Sequence, residues 1–205
     1  MKKLSRICRA LPVPALCLLL GVGGVASAAE ATATFTDTCS NGREGPNPYC
    51  DAQDFQLMNQ RIVVSVTPDS QHVGHIGGFY VGLRTDGNVR GVFTPDGWKG
   101  FNGGIFEPAA VFDSMPGGTQ TFVVFDKGFL CSSVGSGTSE LWAGYGSLDT
   151  TTESQLKTLM TSVSKGLTYE HLVRTYVQSE MTKSQRAWKV LEVTCQTGGS
   201  NDGAN

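Results

Sequence analysis

Two turn signals and the strand patterns around them constrain the fold more than any other feature of the sequence. GFYVGLRT (Gly78–Thr85) and NVRGVFT (Asn88–Thr94) are rich in β-branched and aromatic residues, and Asp86-Gly87 lies between them. Asp-Gly favours the positive φ angles of a two-residue hairpin turn. Pro95-Asp-Gly97 is a second turn signal, because proline sets φ and glycine accepts positive φ. This segment therefore predicts an antiparallel hairpin.

Further strand patterns occur on both sides of this hairpin. They are RIVVSVT at 61–67, TQTFVVFD at 119–126 and SELWAGYG at 139–146. Short strands separated by Gly- and Pro-containing turns are typical of an antiparallel sheet, sandwich or barrel. The part of the mature chain before residue 149 is therefore predicted to be β-rich.

After residue 149 the apolar period changes to that of a helix. Thr150-x-x-Glu153 matches a capping box, and Thr168 is the expected N-cap of a second helix. The first apolar stripe consists of Leu156, Leu159, Met160 and Val163. The second consists of Tyr169, Leu172, Val173, Tyr176 and Val177. Both stripes are wide enough to pack on a sheet or on each other.

RAWKVLEVTC at 186–195 is predicted to be the last strand. Strand alternation assigns Ala187, Leu191, Val193 and Cys195 to one face, and Trp188 and Val190 to the other. The expected fold class is α+β, with an antiparallel β-sheet or sandwich followed by two C-terminal helices and the closing strand, stapled by disulfides.

The first 28 residues have the composition of a secretory signal peptide. Four basic residues and no acid precede an apolar run that ends at Ala26-Ser-Ala28, where we expect cleavage. We expect a secreted or periplasmic protein without a lipid anchor or a transmembrane span in the mature chain. Residues 29–54 are predicted to be a polar arm or edge strand and a Cys-stapled loop, 55–196 a single α+β domain, and 197–205 a disordered tail.

The charge of the mature chain argues against nucleic acid as a partner. Four of the 16 Lys and Arg residues and none of the 18 acidic residues lie in the leader, so the mature chain has six more acidic than basic groups. No basic run is present to neutralise a phosphate backbone. We therefore expect no nucleic acid partner.

The cysteines of the mature chain indicate disulfide bonds. An even number of cysteines in an exported chain usually forms disulfides. The four are Cys39, Cys50, Cys131 and Cys195. Four cysteines allow three connectivities, of which we favour Cys39–Cys50 and Cys131–Cys195.

No catalytic motif is recognisable. His72 and His75 form HVGH, but no third ligand has a recognisable spacing, and neither HExxH nor GxSxG occurs. The carboxylates near the first cysteine pair lack EF-hand spacing, so weak calcium binding is only an alternative to a polar loop. We expect no catalytic residue, no metal ligand and no cofactor, and we keep a secreted hydrolase with a dispersed site as an alternative.

Aromatic residues are the best candidates for binding a partner. Trp98 and Phe101 lie in the Gly-rich loop PDGWKGFNGG, where exposed rings can bind a sugar or a protein, or instead cap the end of the sandwich. In the predicted strands at 78–85 and 139–146, strand alternation produces a face of aromatic residues and glycines. This face carries Tyr80 with Gly82 and Trp142 with Gly144. Tyr145 in the same GYG stretch completes the set of candidates. These glycines could make room for the rings and helices of the same protein, or for a partner.

The stretch FYVGLRTDGNVRGVFTPDGW resembles β-sandwich-like modules of exported bacterial surface proteins, which occur in adhesin and pilus-associated contexts. The likeness extends over residues 77–125 at most and rests on turn residues and hydrophobic alternation. It implies a β-sandwich-like module. The absence of a recognisable catalytic set and the expected disulfide stapling lead us to expect a non-enzymatic binding or assembly module of the bacterial cell envelope or an extracellular structure, with a protein or a glycan as partner. A carbohydrate- or small-molecule-binding protein is a further alternative.

Overall fold

The computed structural model describes residues 29–38, 44–45, 59–126, 137–162 and 168–195, and every structural statement below concerns these ranges. They form two antiparallel sheets and two α-helices. The strands are β1 Glu30–Thr38, β2 Glu44–Gly45, β3 Asn59–Thr67, β4 Gly77–Thr85, β5 Asn88–Thr94, β6 Gly97–Gly100, β7 Ala110–Phe112, β8 Gln120–Phe125, β9 Gly137–Ser147 and β10 Ala187–Cys195. The helices are α1 Thr150–Ser162 and α2 Tyr169–Lys183. The predicted α+β class with antiparallel sheets, two helices and a closing strand is confirmed.

The first sheet has the order β2-β1-β3-β8, and the second has the order β10-β9-β4-β5-β6, with β7 beside β4. Their inner faces share one hydrophobic core, in which Val64 of β3 and Phe79 and Tyr145 of the second sheet are fully buried. The helices lie on the opposite, outer face of the second sheet, where Leu156 and Val177 are buried. The molecule therefore has three layers: first sheet, second sheet and helices.

The hairpin turns form as the sequence predicts. Asp86 and Gly87 have φ angles of 52° and 76°, and they join Thr85 to its partner Asn88. Gly97 has a φ of 102° and pairs with Thr94 at the second turn. These positive φ angles are the conformations for which Asp-Gly and Pro-Asp-Gly are suited.

The segment predicted as a polar arm or edge strand is β1 of the first sheet. Each residue from Glu30 to Thr38 pairs with a residue of β3. Its alternate residues Ala31, Ala33 and Phe35 pack against the core between the sheets. The threonines between them lie on the outer face, so the polar composition of this strand reflects one solvated face.

Two local predictions were wrong. The capping box at Thr150 does not form, because the side chain of Asp149 accepts the hydrogen bond from the backbone N–H of Thr152 at 2.7 Å. In β10 the predicted faces are wrong, because a bulge at Val190 shifts the register between Lys189 and Leu191. The extra residue breaks the period of two, so Trp188, Val190, Leu191 and Val193 all pack towards the core between the sheets.

Other helix predictions agree with the structure in part. Thr168 caps α2 by accepting a hydrogen bond from the backbone N–H of His171. Leu156 is fully buried, but Leu159 of the same predicted stripe is exposed. Within the described ranges, neither helix has the length and hydrophobicity that crossing a membrane requires.

Cys195, the last residue of β10, is buried and disulfide-bonded. Cys39, Cys50 and Cys131 lie outside the described residues, as do the leader and the tail. Both favoured disulfide pairings therefore remain predictions.

Candidate binding site on the outer face of the second sheet

The strands β4 and β9 have the alternation that the sequence predicts. Phe79, Val81, Leu141, Ala143 and Tyr145 belong to the core between the sheets. Tyr80 packs instead in the cluster under the helices. The outer face therefore carries aromatic rings next to glycines, and what covers those glycines decides whether a partner can reach them.

Most of the outward glycines are covered by the protein itself. A β-carbon on Gly146 would overlap the backbone carbonyl oxygen of Val177, and one on Gly144 would overlap that of Arg186. These two glycines allow α2 and the start of β10 to approach the sheet. Gly82 differs, because a β-carbon there would meet only the carbonyl oxygen of Gly91, at 3.6 Å.

A cavity of about 210 Å³ lies over Gly82 and extends to the C-terminal end of α2. We call it the outer groove. It is mostly apolar, and its walls include Tyr80, Arg84, Phe106, Trp142 and Met181. No atom of α2 lies within 4 Å of the position that a β-carbon on Gly82 would take, so the helix leaves this part of the sheet open.

Trp142 has defined partners on two sides. Its indole Nε1 donates a hydrogen bond to Glu140 Oε2 at 2.9 Å, and the guanidinium of Arg84 lies 5.1 Å from the centre of the ring. The hydrogen bond from Trp142 is the main cause that lowers the pKa of Glu140, and the charge of Lys189 contributes in the same direction. The ring is therefore positioned at the edge of the groove before any partner binds.

Tyr80 places a buried polar atom behind the wall of this apolar site. The residue is only 6 % exposed, and its phenol oxygen has no hydrogen-bond partner among the described residues. Burial raises the pKa of Tyr80 above its ordinary value, and the nearby charge of Arg174 opposes this effect. The phenol therefore stays neutral at physiological pH and keeps its proton to donate.

The other predicted site residues lie apart from Trp142. Trp98 is 40 % exposed, and its indole Nε1 donates to the carbonyl oxygen of Val124 in β8 at 2.7 Å. Phe101 packs on Phe106, with ring centres 4.6 Å apart, and so reaches the groove only through that wall residue. Tyr145 is fully buried in the core. The five predicted aromatic residues thus do not form one site, and Tyr145 does not belong to the candidate binding site.

A second cavity of about 570 Å³ lies between the two sheets, and we call it the inter-sheet cavity. Its walls include Leu83, Trp98, Val124, Leu141 and Leu191. No acidic residue and no histidine is among its described lining residues, and Glu107 is the only acidic one in the outer groove. Neither cavity has a pair of carboxylates among its described lining residues.

The two histidines of HVGH have structural partners. His72 Nδ1 lies 3.0 Å from the Tyr145 hydroxyl, and His75 Nδ1 lies 3.2 Å from Glu153 Oε1. In the part of the chain that the structure describes, no three His, Cys, Asp or Glu side chains are grouped to hold a metal ion. The cysteine-flanked loop that we considered for calcium falls mainly outside the described residues.

Met181 and Phe106 are wall residues of the outer groove that were not among the site residues predicted from the sequence. Met181 follows Val177 by four residues and extends the predicted stripe by one turn, so helical spacing contained the signal. Phe106 lies in a loop, and its backbone N–H donates to the side chain of Gln178 at 2.7 Å. No local pattern indicates that contact, because it joins residues far apart in sequence.

No protein-family model, no curated protein and no solved structure matches this chain. The geometry of the two cavities is therefore the basis for inferring function.

Proposed function

We propose that this protein is an exported, non-enzymatic binding or assembly module of the bacterial envelope or of an extracellular structure. In this proposal the outer groove binds one apolar side chain of a protein partner. The observation that carries it is the open floor at Gly82, which pairs with Trp142, lines the groove together with Tyr80 and Trp142, and is not covered by α2.

The size of the groove supports a side chain as ligand. About 210 Å³ is below the roughly 300–1,000 Å³ that is typical of small-molecule and cofactor sites. A pocket of this size can receive a single aromatic or large aliphatic anchor, and such anchors contribute much of the affinity at protein interfaces. The apolar walls favour an apolar side chain over a sugar, whose hydroxyl groups need hydrogen-bond partners when they are buried.

A charged group in the groove wall favours a polar contact next to that anchor. Arg84 lines the groove, and its guanidinium lies 5.1 Å from the centre of the Trp142 ring. A guanidinium donates hydrogen bonds, so a backbone carbonyl or a carboxylate of the partner can bind it. The proposed ligand is therefore an apolar side chain within a polypeptide that also offers a hydrogen-bond acceptor.

Export and disulfide bonding form part of the same proposal. We propose cleavage after Ala28 and the pairings Cys39–Cys50 and Cys131–Cys195, supported by the signal-like leader and by the disulfide bond at Cys195. Thiol titration of the denatured, unreduced mature protein should detect almost no free cysteine. Peptide mapping without reduction should then recover the two pairs, whereas two or more free thiols would contradict them.

Peptide selection on the immobilised mature protein tests the groove. We expect enrichment of peptides with a Trp, Phe or Leu anchor, and we expect them to shift the NMR signal of the Trp142 indole N–H. Gly82→Leu should fill the groove and weaken peptide binding at least tenfold. The matched control is Gly100→Leu, because a β-carbon at Gly100 has no atom within 4 Å and Gly100 lines the other cavity.

Two results would overturn the proposal. One is a selection that yields no peptide sensitive to Gly82→Leu although the variant is folded, as judged by circular dichroism. The other is a set of peptides that bind the two leucine variants with equal affinity.

A further inference from the structure

The inter-sheet cavity has the size and lining of a site for an apolar ligand. Its volume of about 570 Å³ lies within the roughly 300–1,000 Å³ that is typical of small-molecule sites. Both sheets contribute apolar walls, including Val124 from the first sheet and Leu83, Leu141 and Leu191 from the second. Protein interiors are normally close-packed, so a space of this size between two sheets requires an explanation.

Three β-bulges surround this cavity and explain the space between the two sheets. Each is shown by a register shift that leaves one residue unpaired. The unpaired residues are Val124 in β8, Arg90 in β5 and Val190 in β10. Val124 and Arg90 line the cavity directly, and Leu191 lines it next to Val190. A bulge bends its strand and increases the local twist, so bulges in both sheets can separate the sheets at this end.

The charge at the cavity favours an anionic ligand. Two cations line it, but Lys99 already contacts the carboxylates of Asp96 and Glu107 at 3.2 and 3.0 Å. Arg90, the bulge residue of β5, forms no ion pair with any described acid. The lining hydroxyls of Thr85 and Ser139 lie 3.0 Å apart and satisfy each other. Arg90 is therefore the polar group that remains for a ligand.

We propose that the inter-sheet cavity binds a medium- or long-chain fatty acid, with the hydrocarbon chain between the sheets and the carboxylate at Arg90. A fatty acid carries the two features that the site recognises, since it has an unbranched apolar chain and one terminal anion. Arg90 forms a charge-assisted hydrogen bond with that anion. This site is separate from the outer groove, which lies on the opposite face of the second sheet.

Trp98 provides a signal for binding. Its ring lies over Gly91 in the cavity wall, and its Nε1 donates to the carbonyl oxygen of Val124 across the edge of the two sheets. A ligand in the cavity lies beside this indole. Binding should therefore change the tryptophan fluorescence and the NMR shift of the Trp98 indole N–H.

Titration of the delipidated mature protein with octanoate, decanoate and dodecanoate by calorimetry tests the proposal. Each added pair of methylenes should tighten binding about tenfold until the cavity is filled. Arg90→Gln should weaken decanoate binding at least tenfold and leave 1-decanol binding unchanged. The control is Arg61→Gln, on the exposed face of β3, which should leave decanoate binding unchanged. Gly100→Leu should weaken both ligands, whereas Gly82→Leu should weaken neither.

The comparison between decanoate and 1-decanol separates a charge effect from a loss of folding, because a misfolded Arg90→Gln protein would bind neither ligand. Three results would overturn the proposal: no saturable binding by any of the acids, no increase of affinity with chain length, or equal affinities of decanoate for the wild-type and Gly100→Leu proteins. Equal effects of Arg90→Gln and Arg61→Gln would overturn the assignment of the carboxylate to Arg90.

Discussion

Gly146 of β9 lies directly beneath the backbone of Val177 in α2, so close that a β-carbon on Gly146 would overlap the carbonyl oxygen of Val177. This contact places α2 on the outer face of the second sheet. Val177 is almost fully buried there, with 1 % of its surface exposed. On the same face, Gly82 is not covered by α2, and the outer groove opens there.

Gly146→Ala is expected to lower the free energy of unfolding by about 3 kcal/mol, at the upper end of overpacking effects, because the atom it meets is backbone and cannot rotate away. Chemical denaturation followed by circular dichroism measures the change. Gly82→Ala is the matched control, since its new methyl group meets only the Gly91 carbonyl oxygen at an ordinary distance of 3.6 Å. Equal losses for the two variants would contradict the close approach of α2.

Glu153 of α1 joins this helix to the segment that precedes β4. Its Oε1 accepts hydrogen bonds from the backbone N–H of Ile76 at 2.7 Å and from His75 Nδ1 at 3.2 Å. Glu153→Ala leaves the Ile76 N–H without this partner, and we expect a loss of about 1.5–3 kcal/mol. Glu153→Gln keeps an acceptor oxygen and should lose about 1 kcal/mol or less.

An exposed glutamate of α2 provides a control for the Glu153 measurement. Glu170 forms a surface ion pair with Arg174 at 2.6 Å within the helix. Its replacement by alanine should change the free energy of unfolding by no more than about 0.5 kcal/mol. A Glu153→Ala protein as stable as the Glu170→Ala protein would contradict the bridging role of Glu153.

His72 should make stability depend on pH. Burial and the charge of Arg186 lower the pKa of His72 from its ordinary value of 6.5, although the charge of Asp69 opposes them. The unfolded chain therefore takes up a proton at a higher pH than the folded protein does. The contribution of His72 to stability is complete above pH 6.5, and it decreases as the pH falls below 6.5 and through the lowered folded pKa.

Unfolding measured at a series of pH values between about 8 and 5 tests this dependence. His72→Asn removes the titrating ring and keeps a side chain that can bond the Tyr145 hydroxyl, so stability should depend less steeply on pH in this variant. His171→Asn, at an exposed position of α2, should leave the dependence unchanged. If the free energy of unfolding depends on pH with the same slope in both variants and in the wild type, His72 is not the group that causes this pH dependence.

Trp98 joins the edges of the two sheets. Its Nε1–H donates to the Val124 carbonyl oxygen at 2.7 Å, and phenylalanine cannot replace this bond. Trp98→Phe should therefore lower the free energy of unfolding by about 1 kcal/mol. Trp142→Phe should lower it less, because water can solvate the partly exposed Glu140 carboxylate that the Trp142 indole binds. The reverse order of the two losses would contradict the role of Trp98 as an edge contact.

Local patterns predicted much of the fold because their causes are local. Asp86-Gly87 forms its hairpin because these two residues accept positive φ, and Thr168 caps α2 because its hydroxyl reaches an N–H three residues ahead. The period of two in β4 and β9 correctly separated the core face from the glycine-rich face. The prediction failed at Val190, where one extra residue in β10 changes the faces without a signal in composition.

The sequence was a weaker guide to the candidate site. It identified Tyr80, Gly82 and Trp142 on one face, and these residues lie together in the outer groove. It also proposed Trp98, Phe101 and Tyr145, which the fold places elsewhere. An exposed ring and a core ring have the same local pattern, and burial depends on which distant segment packs against the ring.

The sequence by itself determined the two hairpin turns, the alternation of β4 and β9 and the cap of α2, because each is a property of neighbouring residues. Only the tertiary structure decided that α2 covers Gly146 and leaves Gly82 open, and that Glu153 bonds Ile76 instead of capping its own helix. Only the tertiary structure gathers three bulges around one cavity. These features depend on contacts between segments far apart in the chain, where packing and hydrogen-bond satisfaction override local preference.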